Sequence, residues 1–301
     1  MMAAQKVDDR TRLRHNESMV SHTSWRVGGS ADIYCEPRDV DELREMLSEI
    51  PASMPILWIG YGSNLLVRDG GIRGAVISTG RMQRELERIS ATHVRAGAGV
   101  ACARLAKQCE EWQLGPAAFM VGIPGTIGGA LAMNAGAFGG ETWSHVAAVE
   151  TIDRAGVIRE RPRTDYSIGY RSVAGPHGEW FLAAHFAYEP CSQHTDDAPA
   201  IRSLLERRAA TQPLGQASCG SVFRNPPDAY AGELIESCGL KGTGIGGAIV
   251  SEKHANFIVN DGSASAADIE ALIEHVRECV REATGIELHS EVRIVGEHDA
   301  R

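Results

Sequence analysis

Apolar positions along the chain fall into two rhythms, and together they divide it into helices and strands. Over residues 38–50, Val40, Leu43, Met46, Leu47 and Ile50 recur at helical spacing, and Pro51 stops the run. A second helix is predicted over 101–112, with Leu105 and Ala106 inward. The longest stripe is Ile269, Leu272, Ile273, Val276 and Val280. It predicts a helix over 266–283, capped by Ser265 and ended by Thr284-Gly285. A basic helix is predicted over 201–210, and a short one over 230–238 ended by Gly239. Short apolar runs predict strands over 31–35, 55–59, 74–78, 146–152, 181–188, 248–250, 257–259 and 292–295, with 55–59 buried. Residues 86–89 and 92–96 predict a hairpin.

Between these lie polar stretches. Residues 1–20 are expected to fray at first, and 165–171 (DYSIGYR) to form a polar loop. Residues 189–199 are polar and proline-flanked, which marks the expected domain boundary. Residues 212–227 look irregular, and the chain contains no internal repeat.

One stretch fits neither rhythm. Residues 121–140, VGIPGTIGGALAMNAGAFGG, hold seven glycines and no charge. Pro124, Asn134 and the glycines argue against a membrane span, since a lipid-buried backbone must satisfy every peptide group internally. Glycine lets a ligand approach the main chain closely, and successive N–H groups in such turns cradle anions. Gly128-Gly129 before Ala130 would also open a short helix facing a phosphate. The other reading is a purely structural glycine loop. A second glycine turn, Gly60-Tyr61-Gly62-Ser63-Asn64-Leu65, follows a predicted strand, the place where open α/β folds bind nucleotides. It is not a Rossmann fingerprint, because Leu65 stands where the third glycine belongs.

Composition narrows the setting. The 301 residues, enough for two domains of ordinary size, carry 30 basic and 39 acidic side chains. The net charge of -9 argues against nucleic acid or an anionic membrane as partner. The opening MMAAQKVDDRTRLRHN lacks an apolar segment, so neither signal peptide nor anchor is expected. Seven scattered cysteines without a CxxC pair fit reduced thiols in the cytoplasm, not disulfides or zinc, and no metal is expected.

No Walker A, HExxH or GxSxG motif is present. Tyr170-Arg171, Gly220-Ser221 and Glu291 stand out in predicted loops or at strand ends. Singly they have ordinary readings: a solvated arginine, a turn serine, a surface glutamate. Together with HTSWRVGGSAD, GYGSNLLVRDGG, GIPGTIGGALAMNAGAFGG, DYSIGYR, CGSVFRNP, LKGTGIGGAIVSEKHANFIVN and ELHSEVRIVG they carry a resemblance. Over about residues 16–297 the chain resembles the UDP-N-acetylenolpyruvoylglucosamine reductase (MurB) family, in its shorter class without the tyrosine-bearing insertion.

The resemblance implies an α+β fold. A vanillyl-alcohol-oxidase (PCMH-type) FAD-binding domain of two α/β subdomains would span 1–189, and a MurB-type C-terminal α/β substrate domain 200–297. It implies non-covalent FAD, held by Gly60, Tyr61, Gly62, Ser63, Asn64 and Leu65 and by Gly122, Pro124, Gly125, Thr126, Gly128, Gly129, Asn134 and Gly136. Ser63 and Asn64 would donate to a phosphate. The family's catalytic arginine falls on Arg171, its proton-donating serine on Ser221 and its glutamate on Glu291; Tyr170 and Asn225 match residues near the substrate's pyrophosphate or sugar. Two departures stand out. Ser290 replaces a frequent proline, and Thr211 replaces a lysine of some members, which leaves Arg224 or Lys241 as the UDP anchor.

The implied partners are a UDP-sugar and NADPH, with no nucleic acid and no membrane, and the implied state is a cytoplasmic monomer. NADPH would reduce the flavin, which would reduce the enolpyruvyl sugar to UDP-N-acetylmuramate for peptidoglycan. Arg171 would meet the developing carboxylate charge, Glu291 would hold Arg171 or hydrogen-bond the intermediate, and Ser221 would protonate the adjacent carbon. A flavin oxidase of the same fold, or a nucleotide-binding module without catalysis, are the alternatives. Neither glycine loop contains a His or Cys for a covalent flavin, which disfavours many of the oxidases.

Overall fold

A computed structural model describes residues 13–82, 84–191 and 201–299. Its first sheet is built from β1 (Leu13–Ser18), β2 (Ser30–Cys35), β3 (Ile56–Ile59) and β5 (Ile72–Ser78), in the order β1-β2-β5-β3. β1 runs antiparallel to β2, whereas β2 and β3 both run parallel to β5. α1 (Val40–Glu49) connects β2 to β3 and packs on this sheet through Leu43, Met46, Leu47 and Ile50, the face expected of it. Its start is set by Asp39, whose carboxylate accepts from Glu42 N at 2.8 Å. Between β3 and β5 lies β4 (Leu65–Val67), which belongs to a different pair described below.

The second sheet is antiparallel throughout. The hairpin of β6 (Leu86–Arg88) and β7 (His93–Gly97) joins the strands Glu179–Ala187, Val146–Asp153 and Ile158–Pro162 in that order. α2 (Cys102–Glu111) and the glycine-rich α3 (Ile127–Met133) lie in its core with Trp143, Phe186 and Tyr188. The third sheet is small: Gly244–Ile245, Ala248–Val250 and Ile258–Asn260. α5 (Ala231–Ser237) and α6 (Ala266–Thr284) pack with it in one core. α6 shows the predicted stripe fully buried, a capping box at Ser265 and Asp268, and a left-handed Gly285 as its end. Asp69 adds a second cap from far along the chain, accepting from Ala266 N and Ala267 N.

Several expectations are corrected. β1 was not predicted, because its polar sequence LRHNES sits on a sheet edge and buries no residue fully. β3 is not a fully buried strand: Ile56, Leu57 and Trp58 are half-buried, and Ile56 and Trp58 border a cleft. Residues 165–171 are not a loop. The strands Ser167–Gly169 and Ser172–Ala174 form a hairpin whose two-residue turn is Tyr170-Arg171. α3 starts at Ile127, ahead of Gly128-Gly129, because Thr126 caps it and accepts from Gly129 N at 3.4 Å. Most of the expected boundary, 192–199, lies outside the described residues, while Glu189–Pro190 pairs back onto Leu114–Gly115.

The sequence halves interlace. α4 (Ile201–Thr211) buries Ile201 and Leu204 in the core of the second sheet. In return Trp25, Val27 and Leu66 enter the core of the third sheet. Trp25 Nε1 donates to Ile258 O at 2.8 Å, and Asn260 Nδ2 donates to Trp25 O at 2.8 Å. β4 is the parallel partner of the final strand Arg293–Val295. Arg68, just past β4, forms a two-pronged ion pair with Glu270 of α6. These contacts fix the site between the parts.

Candidate active site

Arg171 and Glu291, 120 residues apart, meet as an ion pair: Nε donates to Oε1 at 3.0 Å, and both side chains are about 14% exposed. The other arms of the guanidinium are also held. Nη1 donates to Asn134 O at 3.3 Å and Nη2 to Gly136 O at 2.9 Å. Arg171 itself sits at φ 52° on its turn, a left-handed conformation that costs a non-glycine residue about 1 kcal/mol or more. The strain persists because the hairpin and these bonds together determine it, and its result is a guanidinium aimed back at Glu291. The exposed Tyr170 ring lies beside it, with Arg171 Cζ 5.0 Å from the ring centre.

Burial pushes the Glu291 carboxyl above its ordinary range, and the charge and hydrogen bond of Arg171, with a smaller pull from Arg224, reverse this only in part. Its backbone is fixed from two sides. Glu291 N donates to Val222 O at 2.8 Å, and Asn64 Nδ2 donates to Glu291 O at 2.9 Å. The first bond sets the backbone of Val222, the residue after Ser221, against that of Glu291. Gly220 at φ 85° turns the chain into that position. Among the described residues the Ser221 hydroxyl has no hydrogen-bond partner, and the residue is half-buried. Arg171 and Glu291 are thus brought together from a hairpin turn and a loop, and Ser221 precedes the residue whose carbonyl holds the Glu291 N–H.

Asn134 occupies the left-handed C-cap of α3 and is about 1% exposed. Its amide is committed to the protein: Nδ2 donates to Glu141 Oε2 and Gly169 O, both at 3.0 Å, and Oδ1 accepts from Trp143 N at 3.1 Å. It holds the turn end of the Arg171 hairpin. Asn64, expected to donate to a phosphate, spends its amide on Glu291 O. Gly62, Leu65 and Thr126 are buried within the protein.

The two glycine loops face each other. A side chain at Gly60 would meet Thr126 Oγ1 at 2.3 Å, and one at Gly125 would meet Ser63 Oγ at 3.2 Å. What forbids a side chain at Gly60, Gly122 and Gly136 is therefore the protein itself: Thr126, then Ala137 with Phe138, then Gly140 O with Arg171. At Gly129 nothing lies closer than 3.7 Å, so this glycine faces open space. Gly60, Gly128 and Gly129 line a cleft of about 280 Å³ with Thr79, Trp58 and Trp180. Trp58 and Trp180 stack at 4.9 Å, and Trp58 Nε1 is buried without a partner among the described residues. An unpaired buried donor costs free energy until an acceptor reaches it, so Trp58 Nε1 is a donor that a ligand could satisfy beside this cleft. Pro124 is exposed, and Tyr61 OH accepts from Arg84 at 3.2 Å. The cleft does not contain Arg171, Glu291 or Ser221; α3 separates them, with Gly128, Gly129 and Ala132 on the cleft and its Asn134 cap on Arg171.

Among the expected substrate residues, Arg224 keeps Nε buried and unpaired, whereas Lys241 pairs with Glu236 at 2.6 Å. Asn225 Oδ1 accepts from Ala231 N at 3.1 Å, which commits one side of that amide. Sequence reasoning missed Asn256, which is about 3% exposed and holds the Ser221 segment. A lone asparagine in an apolar run was its only signal.

Comparisons with known proteins place the whole chain among its relatives. Residues 212–295 match the family model described as UDP-N-acetylenolpyruvoylglucosamine reductase, C-terminal domain, and 31–160 match that of an FAD binding domain. A UDP-N-acetylenolpyruvoylglucosamine reductase of Alkalilimnicola ehrlichii is 53% identical over 99% of both chains. One from Methylococcus capsulatus is 53% identical over 96% of this chain and 95% of its own. The crystal structure of the reductase from Thermus caldophilus superposes with a TM-score of 0.79 at 29% identity, covering 94% of this chain and 98% of that one.

Proposed function

Because the chain belongs to the UDP-N-acetylenolpyruvoylglucosamine reductase family, we propose that Arg171, Glu291 and Ser221 carry its reaction. The protein is an FAD-dependent, NADPH-using reductase that converts UDP-N-acetyl-3-O-(1-carboxyvinyl)-glucosamine to UDP-N-acetylmuramate, a step of peptidoglycan precursor synthesis. Bound FAD supplies hydride transfer, from NADPH to the vinyl CH2 carbon of the sugar.

The remaining work falls to side chains. Hydride addition drives negative charge onto the substrate carboxylate. Arg171 suits that charge because a guanidinium stays protonated and presents five N–H groups. Three of these are used by Glu291, Asn134 and Gly136, which fix the fork and leave two for the substrate. Glu291 orients Arg171, and its raised pKa also suits it to hydrogen-bond the intermediate as an acid. Ser221 delivers a proton to the carbon next to the carboxylate. Arg224, with its unpaired Nε, serves the UDP better than the ion-paired Lys241, and Tyr170 and Asn225 flank it. In the same reading residues 1–189 bind the cofactor, 200–297 bind the sugar, and the enzyme is a cytoplasmic monomer whose seven cysteines stay free thiols. No helix among the described residues is long and apolar enough to cross a membrane.

The single observation that supports this assignment is the Glu291 N to Val222 O bond, which joins the residue after Ser221 to the backbone of the ion-paired Glu291. Rapid mixing of Ser221→Ala tests it. Flavin reduction by NADPH should stay near wild type, while reoxidation by the enolpyruvyl sugar should slow by about 10²–10⁴-fold, the usual loss for a general acid. Turnover within a few-fold of wild type with both half-reactions intact would remove Ser221 from the chemistry.

A further inference from the structure

The Ser221 segment has two neighbours, and one of them contributes a side-chain amide beside its backbone. On one side Glu291 N donates to Val222 O at 2.8 Å, and Arg224 N donates to His289 O at 2.9 Å. On the other side runs the turn between Ala248–Val250 and Ile258–Asn260, which cannot offer a straight strand. One of its residues supplies the missing edge. Asn256 O accepts from Val222 N at 2.9 Å, Asn256 Oδ1 accepts from Phe223 N at 2.9 Å, and Asn256 Nδ2 donates to Phe223 O at 2.9 Å. The side-chain amide acts as one more peptide unit in a ladder. It is itself held: Asn256 N donates to His254 Nδ1 at 3.2 Å, and Ser251 N donates to Phe257 O at 2.8 Å across the turn. Asn256 is about 3% exposed, so water does not compete for these bonds.

We propose that Asn256 is a positioning residue for proton delivery by Ser221. The inference rests on the reading of Ser221 as proton donor. Residues 222–224 are clamped from both edges, and Ser221 is the first residue outside the clamp, just after the left-handed Gly220. Its hydroxyl has no hydrogen bond among the described residues to fix it directly. Its distance from the substrate carbon is therefore set through the backbone, half of it by Glu291 and half by Asn256. A shift of about 1 Å in such a group is enough to cost on the order of 10²-fold in rate. Hydride transfer from NADPH does not use this proton and should not register the shift.

Asn256→Ala and Asn256→Asp, loaded with FAD, separate the roles. In Asn256→Ala, reduction by NADPH should remain within about threefold of wild type, while reoxidation by the enolpyruvyl UDP-sugar slows by about 10–100-fold. The solvent isotope effect on reoxidation should rise, because proton delivery becomes limiting. In Asn256→Asp the ionised carboxylate accepts from Phe223 N but opposes Phe223 O, and protonation restores the missing donor. Its reoxidation rate should recover as pH falls, relative to wild type at each pH, and this second variant serves if the first fails to fold. Wild-type reoxidation in folded, flavin-loaded variants would overturn the proposal, as would an equal slowing of both half-reactions. Ser221→Ala in the same assay assigns the failure. If it is slow while the Asn256 variants are normal, only the positioning role falls; if it is itself normal, the proton-donor reading falls and takes this one with it.

Discussion

Replacing Asn134 should affect both the stability of the fold and the second half of the reaction, by amounts that follow from its bonds. In Asn134→Ala the buried Trp143 N loses its acceptor, and an unsatisfied buried donor costs about 1–3 kcal/mol. The bonds to Glu141 and Gly169 end on half-buried and exposed residues that water can reach, so each loss costs about 0.5–1.5 kcal/mol. Alanine at φ 48° adds about 1 kcal/mol of left-handed strain. The variant should be destabilised by about 3–7 kcal/mol, and Asn134→Gly, free of the strain, by about 1 kcal/mol less. Urea denaturation read by tryptophan fluorescence gives the order directly, since Trp143 Nε1 donates to Leu131 O within α3. With Gly169 released, the hairpin that holds Arg171 at φ 52° loosens, and flavin reoxidation by the sugar should slow in both variants. An alanine variant within about 1 kcal/mol of wild type, or a glycine variant no better than alanine, would refute the view that Asn134 is the keystone of the hairpin.

Two further outcomes are expected. Burial raises the folded pKa of Glu291 above its unfolded value, so its contribution is fully present at acid pH and is lost as pH rises through the raised pKa. Glu291→Gln keeps an acceptor for Arg171 and should gain stability over wild type on going from acid to neutral pH; a gap that shrinks instead would mean that Arg171 outweighs burial. Ser290→Pro should lie within about 1 kcal/mol of wild type. The flanking bonds of the 223–290 bridge use Arg224 N and Glu291 N, not Ser290 N, and the substitution loses only the hydroxyl bond to Val292 O at 3.0 Å. A loss well beyond that in a denaturation midpoint would show that the serine shapes the Glu291 loop.

Elements that bury a continuous apolar face were legible before the structure. The α6 stripe, its Ser265 cap and its Gly285 stop appear as expected, as does the α1 face. Elements held by their edges were not. β1 reads as polar because it contributes hydrogen bonds more than buried surface, and the Arg171 hairpin reads as loop because its strands have three residues each. In the site, the chemically distinctive residues were visible: an arginine, a serine and a glutamate in matching segments. Asn134 and Asn256 were either given another role or missed, because an amide that braces a backbone looks in sequence like any other asparagine. Several of the glycines are required by neighbouring protein atoms, a reason the sequence alone did not suggest.

The exchange of core residues between the two ends of the chain also has a temporal side. Trp25 waits for Ile258, 233 residues later, before its indole finds its place. At a synthesis rate of roughly 5–20 residues per second, that delay is about 10–45 s. Until then Trp25, Val27 and Leu66 lack the partners that bury them in the finished protein. A message cut short before that point yields no free-standing flavin carrier. It yields a product with a sticky edge, one that holding chaperones should bind and proteases should clear.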